Sequence, residues 1–267
     1  MKLTVLADNN TYIDRYYLGE PAVSYFIEDE GALLLFDLGY SDVYVKNACK
    51  LGIDLTGVDA VVLSHGHDDH TGGLAAFPPV GRPVKLYAHP RVFEEKRSGQ
   101  LAICSPLREE AASERFDLCL SRAPVAVSPN LTFLGEIERT NGFENQAPIG
   151  ECRCGCGWRP DYLLDDSALV YRGAEGISII TGCSHAGICN IIEYAKRVTG
   201  ERRVRGVIGG FHLFDEHSEQ LERTVEYLKR ERIPMLYPCH CTSFAARAAI
   251  HREIPVQEVG VGLTLTW

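Results

Sequence analysis

Val61-Val62-Leu63-Ser64-His65-Gly66-His67-Asp68-Asp69-His70-Thr71-Gly72-Gly73 is the stretch on which the reading of this chain turns. A β-branched apolar run passes directly into His-x-His-x-Asp-His. Three of the nine histidines in 267 residues therefore fall within six positions. Imidazole and carboxylate are borderline-to-hard donors suited to Zn²⁺, Fe or Mn. In an extended loop His65 and His67 can face one metal, while the adjacent Asp69 and His70 turn towards a second. Gly66, Gly72 and Gly73 allow the backbone to turn tightly around these donors. Two metals about 3.5–4 Å apart would lower the proton affinity of a water between them and hold an anionic oxygen.

Outward from this motif, the chain reads as short strands with helices between them. Val/Ile/Leu/Tyr runs bounded by Gly, Asp or Pro predict strands at 2–6, 22–27, 32–36, 60–63, 84–88, 131–135, 168–171, 177–181, 204–208 and 262–266. Helical periodicity predicts helices at 42–51, 187–198, 218–230 and 242–251. In the second of these, Ile188, Ile191, Ile192 and Ala195 share one apolar face; in the third, Leu221, Val225 and Leu228 do. This order predicts a mixed α/β fold with sheets covered by helices around one core. One domain over residues 1–267 is expected. The stretch 98–166 is weakly periodic, holds five of the ten cysteines, and is read as an insertion or lid.

The composition, 45% hydrophobic and 24% charged, excludes a disordered or fibrous chain. No apolar run reaches the ~18–20 residues that span a bilayer, so no membrane partner is expected. The net charge of −9 argues against a nucleic-acid binder. The start of the chain carries no signal-peptide pattern, which points to a cytoplasmic protein with reduced thiols. Cys49, Cys104, Cys119 and Cys189 are then expected to be small buried packing residues.

At residues 61–74 the sequence resembles the metallo-β-lactamase superfamily, and the resemblance extends over most of the chain. It implies a four-layer αββα sandwich with a dinuclear metal site at one edge. Leu35-Phe36-Asp37-Leu38-Gly39 is similar to the strand–Asp–x–Gly element of the family, whose acid, here Asp37, supports the metal loop from behind the ligands. The family adds ligands from later loops. His185, in Thr181-Gly182-Cys183-Ser184-His185-Ala186-Gly187, and His240, in Tyr237-Pro238-Cys239-His240-Cys241-Thr242, each follow an apolar strand and match that role. The implied set is His65, His67 and His185 for one metal and Asp69, His70 and His240 for the other. Zinc is the expected ion, with Fe or Mn as alternatives. Asp69 is the residue expected to orient an attacking water. Many members carry a bridging Asp where this chain has Cys183, which is either a thiolate ligand or a redox-sensitive bystander. His212, in Gly209-Gly210-Phe211-His212-Leu213, is a ligand, a substrate contact or a core histidine. His89 is expected to be structural, and His217 and His251 to face solvent.

The same segments look like those of the dihydropteroate-synthase-like branch. Its assigned role is to join a dihydropterin-methyl diphosphate to a ribofuranosyl-aminobenzene phosphate. The flavodiiron branch carries Glu where this chain has His67. Three functions follow as expectations. The first is a metal-dependent hydrolase acting on a small anionic phosphate- or ester-containing substrate. The second is a pterin-type transferase, and the third a non-catalytic metal-dependent ligand binder.

Two features stand outside this scheme. Cys152, Cys154 and Cys156 alternate in an extended stretch. They could form a structural metal site completed by Cys104 or Cys119, a redox-labile group, or a surface lid with incidental thiols. Arg202, Arg203 and Arg205 flank a strand near His212, either as a solvated face or as a phosphate contact.

Overall fold

The computed structural model describes residues 1–155, 157–215 and 217–267. Two large sheets pack face to face. The first has seven strands in the order Thr264–Thr266, Lys2–Ala7, Ser24–Asp29, Ala32–Phe36, Ala60–Val62, Val84–Ala88 and Phe116–Leu120. The second has six, in the order Met235–Cys239, Val204–Gly210, Gly176–Thr181, Ala168–Gly173, Leu131–Phe133 and Val125–Ala126.

Strand alternation explains the layering, because successive side chains point to opposite faces. Leu34 and Phe36, like Ala60 and Val62, join the core between the sheets, where they meet Phe133, Leu169, Ile180 and Ile208. Leu35 and Val61 point the other way, into a core shared with Tyr44 and Ala48 of the helix Val43–Leu51. Across the second sheet, Ile177, Ile179 and Val207 pack against Ile188, Ile191, Ile192 and Ala195 of the helix Ile188–Thr199. Leu221, Val225 and Leu228 of the helix Glu219–Glu231 join the same core. The four layers are helix, sheet, sheet, helix, the αββα sandwich.

The strands that carry the candidate ligands are parallel. Ala32–Phe36, Ala60–Val62 and Val84–Ala88 run the same way, with Phe36 beside Val62. Gly176–Thr181, Val204–Gly210 and Met235–Cys239 do the same in the other sheet, with Gly210 beside Cys239. Parallel strands place their carboxyl ends together, which is where ligands bind in open α/β sheets.

The stretch 98–166 contributes strands to all three sheets. Phe116–Leu120 extends the first sheet, and Val125–Ala126 and Leu131–Phe133 extend the second. Its two ends, with the residues just before it, build a separate four-stranded sheet in the order Gly157–Pro160, Glu151–Cys154, Lys96–Ser98, Leu101–Ala102. These four strands read GWRP, ECRC, KRS and LA, with no apolar alternation, so sequence periodicity could not show them. The expectation of four buried cysteines is corrected as well. Cys189 is buried, but Cys49 is exposed and Cys104 and Cys119 are half-buried. Cys49 lies on the outer face of its helix and Cys119 in an edge strand, positions that apolar composition does not distinguish.

Candidate metal centre

The site is built on strand ends that bend sharply. Asp37 follows Ala32–Phe36, Ser64 and His65 follow Ala60–Val62, and Cys183 to His185 follow Gly176–Thr181. His212 follows Val204–Gly210, and His240 follows Met235–Cys239. Asp37, Ser184, His212 and His240 all have positive φ, between 49° and 59°. A non-glycine residue in that region costs about 1–3 kcal/mol and persists where the surroundings over-determine it, typically at functional sites. Gly182 is required for a different reason: a side chain there would collide with the hydroxyl of Ser64.

Two clusters of ligand atoms result. His65, His67 and His185 form one; Asp69, His70, Cys183 and His240 form the other, the atoms of each lying within 4.8 Å of one another. The structure thus groups the six expected residues in threes as the resemblance divided them, and it places Cys183 with the second three. In that cluster Nε2 of His70 is 3.1 Å from Sγ of Cys183 and 3.5 Å from Oδ2 of Asp69. Nε2 of His240 is 3.2 Å from the same carboxylate oxygen. In the first, Nε2 of His65 and Nε2 of His185 face each other at 3.2 Å.

Hydrogen bonds behind the clusters set the tautomers. Nδ1 of His70 donates to Oδ2 of Asp37 at 2.7 Å. The hydroxyl of Ser64 donates to the same oxygen at 2.7 Å and accepts from Nδ1 of His65 at 2.9 Å. The backbone N–H of Ser64 donates to Oδ1 of Asp37. Nδ1 of His240 donates to Oδ1 of Asn9 at 2.9 Å. In the neutral, metal-binding form of His65, His70 and His240 the proton therefore sits on Nδ1, leaving the Nε2 lone pair towards the cluster, the arrangement of metal-ligating histidines.

The donor chemistry fits cations. Nε2 of His67 and Nε2 of His240 are buried without a hydrogen-bond partner, which native proteins rarely leave unexplained. Burial and the neighbouring imidazoles hold His65 and His185 well below the usual histidine range. Burial takes His67 down to about 4. Neutral imidazoles are the form that binds metal. His70 is held high, because the Asp69 and Asp37 carboxylates outweigh its burial, and Asp69 is held low by His70 and His240 despite its own burial. Complete burial pushes the Cys183 thiol up. Cys241, next in the chain to His240, is brought down to about 7: burial opposes this, but the hydrogen bond with Cys183 and the charge of His240 outweigh it.

The remaining sequence expectations divide. The ring of His212 packs against His185 and Phe214, with centroids at 4.4 and 4.8 Å, and its nitrogens belong to neither ligand cluster. His89 is buried and bonded to Glu136; His217 and His251 are exposed. Cys152 is buried beside Arg91 and Cys154 is exposed; among the described residues neither belongs to a metal-ligand group. Cys156 lies outside the described residues. Of the two readings of Arg202, Arg203 and Arg205, the structure supports the solvated face. They stand at the start of Val204–Gly210, opposite the end that carries His212, and Arg203 and Arg205 pair with Glu201 and Glu175.

Several residues of the site had no sequence signal. Asn9 and Ser64 act through hydrogen bonds across the fold. Lys96, buried, pairs with Asp161 at 2.7 Å and Asp165 at 2.9 Å, and Asp165 also accepts from the N–H of Gly66. The metal loop and the small sheet are thereby joined. The expected tight turn at Gly66 is instead a close approach, since a side chain there would meet the carbonyl of Val92.

Comparison with known proteins agrees with this geometry. The family model for the metallo-beta-lactamase superfamily matches residues 18–107. The chain is 30% identical to a Methanocaldococcus jannaschii protein named 7,8-dihydropterin-6-methyl-4-(beta-D-ribofuranosyl)-aminobenzene-5'-phosphate synthase, over 95% of this chain and 91% of that one. It is similar, at 29% identity and a TM-score of 0.86, to a solved metal-dependent hydrolase of the beta-lactamase superfamily, covering 100% of this chain and 99% of the other. At 15% identity and a TM-score of 0.61 it shares its fold with the metallo-beta-lactamase fold protein YhfI of Bacillus subtilis, covering 99% and 98% of the two chains.

Proposed function

This chain belongs to the metallo-β-lactamase superfamily, and from that membership we infer a metal-dependent enzyme with two ions that acts on a small anionic, phosphate- or ester-containing substrate. The observation that carries the reading is the pair of adjoining ligand clusters, His65/His67/His185 and Asp69/His70/Cys183/His240. Nitrogen, oxygen and one thiolate sulfur are the donors that Zn²⁺ takes. Bound there, two divalent cations would supply Lewis acidity towards an anionic oxygen and lower the proton affinity of water.

The protein's own groups prepare that chemistry. Asp37, Ser64 and Asn9 hold His65, His70 and His240 with their Nε2 lone pairs towards the cations. Asp69, whose Oδ2 lies 3.2 Å from Nε2 of His240 and 3.5 Å from Nε2 of His70, and which is partly open to solvent, is placed to orient a water. Two cations outweigh the carboxylates of Asp37 and Asp69 and a Cys183 thiolate, so the centre attracts an anion although the chain carries a net charge of −9.

Hydrolysis is the leading reaction. Transfer is the second, favoured by the synthase name of a relative that matches 95% of this chain. Turnover of phosphate or carboxylic esters with Zn²⁺ or Mn²⁺ added supports the first. Formation of a coupled product only when a pterin diphosphate and an aminobenzene acceptor are both present supports the second. For the centre itself, elemental analysis of wild type is expected to give two equivalents of metal. His67→Ala and His70→Ala are each expected to give about one, and the double variant none. Full metal content in the double variant would overturn the assignment.

A further inference from the structure

Two thiols meet at the metal centre, and the ligand clusters use one of them. Cys183 lies two residues beyond the strand Gly176–Thr181, and Cys241 two residues beyond Met235–Cys239. Val204–Gly210 runs between these strands, a separation of roughly 9–10 Å. Gly210 lets the chain close over that gap. Its N–H donates to the carbonyl of Gly182 at 2.8 Å, and a side chain on it would collide with Sγ of Cys241. The sulfur of Cys241 therefore fills the space that a side chain at 210 would take. From there it donates to the carbonyl of Cys183 at 3.5 Å and lies beside the Cys183 thiol.

The two thiols differ in what else they reach. Cys183 is buried, its sulfur 3.1 Å from Nε2 of His70 and part of the second cluster. Cys241 is half-buried and belongs to neither cluster, so a small solute can reach it while no ion holds it. Cys239 points the other way, into the core between the sheets, beside the hydroxyl of Tyr25. Among the described cysteines, Cys241 is therefore the partner placed for Cys183.

We propose that Cys183 and Cys241 are a peroxide-sensitive pair whose disulfide takes the sulfur ligand away from the second cluster. The switch rests on the two-metal reading above, in which Cys183 is a ligand. Hydrogen peroxide is the oxidant. The Cys241 sulfur attacks one peroxide oxygen; an S–O bond forms, the O–O bond breaks, and the other oxygen leaves with the thiol proton as water. The Cys183 sulfur then attacks the sulfenic sulfur of Cys241. An S–S bond forms, the S–O bond breaks, and the hydroxide leaves with the Cys183 proton as a second water. Two thiols lose an electron each and one peroxide is reduced. Cation and disulfide compete for one sulfur, so the second ion is lost on oxidation and returns on reduction. The three histidines of the first cluster keep theirs.

The test treats chelated and Zn²⁺-loaded protein with hydrogen peroxide, alkylates the remaining thiols and maps the peptides by mass spectrometry. In the chelated protein a Cys183–Cys241 cross-link is expected, with the mass of two hydrogens lost. In the loaded protein a chromophoric chelator is expected to register release of one of the two zinc equivalents, which the protein takes up again after dithiothreitol. Cys241→Ser should load zinc as wild type does, which also reports that it folds. It should form no cross-link and show no reversible release. Absence of the cross-link from the chelated protein overturns the pair, whether or not two metals bind. Release as reversible in Cys241→Ser as in wild type overturns it too. A cross-link that leaves both ions bound sinks the switch and takes Cys183 out of the ligand set. Failure of the wild type to take up two ions sinks the two-metal reading and the switch together, and the cross-link still decides the pair.

Discussion

Asp37 accepts three hydrogen bonds at 2.7 Å, from the N–H and the hydroxyl of Ser64 and from Nδ1 of His70. Through Ser64 it also orients His65, so one buried carboxylate aligns a ligand in each cluster. Asn tolerates the left-handed backbone that Asp37 adopts, so Asp37→Asn should fold. It is expected to lower metal affinity about 10–100-fold, read by competition with a chromophoric chelator. Cys183→Ser is expected to weaken the second ion and spare the first, because sulfur is a ligand atom of one cluster only; elemental analysis after mild chelation would show one retained equivalent. Asp37 was visible in sequence because Leu35–Gly39 resembles the family's strand–Asp–x–Gly element. Asn9 was not, since only the fold brings residue 9 beside residue 240.

At the scale of elements, two joints tie the 98–166 stretch to the metal edge. One is Lys96 with Asp161 and Asp165. Removing one partner of a buried ion pair leaves an uncompensated charge, so Lys96→Met is expected to cost about 3–5 kcal/mol in urea unfolding. Asp165 is held low by Lys96 and by the Gly66 N–H, against its burial. Its contribution is complete above the ordinary aspartate value of 3.8 and is lost as pH falls below it towards the depressed folded value. The acid limb of stability should therefore be shallower in Lys96→Met than in wild type. The other joint is Glu144, which accepts from the N–H groups of Cys189 and Asn190 at the start of the helix Ile188–Thr199. Glu144→Ala removes a helix cap and is expected to cost about 0.5–2 kcal/mol in thermal unfolding. Helix 188–199 itself was legible from its i, i+3, i+4, i+7 face. The small sheet was not, because its strands are held by backbone pairing and by Lys96 rather than by an apolar stripe.

For the whole molecule, the overall charge and the local charge have opposite signs. Inorganic phosphate is expected to bind the metal-loaded protein and not the chelated one, with an affinity that falls only modestly with added salt because the centre is largely buried. Calorimetry with and without chelator, at two ionic strengths, checks this. Phosphate binding to the chelated protein would show that side chains rather than cations hold the anion. Among the described residues no helix is long and apolar enough to cross a membrane. The separation of Arg202, Arg203 and Arg205 from the site also belongs to this scale. Near His212 in sequence, they stand at the other edge of the sheet, because a seven-residue strand lies between them.

By itself the sequence determined what is local and contiguous. The His65–His70 spacing, the apolar runs that become strands and the helical faces all depend on residues a few positions apart, and short-range backbone geometry fixes their meaning. It also supplied His185 and His240 as strand-end candidates. Only the tertiary structure decided that Cys183 joins Asp69, His70 and His240, that His212 stands beside the clusters without entering them, and that Asn9, Ser64 and Lys96 hold the centre in place. Those relations arise where parallel strands of two sheets end along one edge, and no spacing along the chain encodes which side chains meet there.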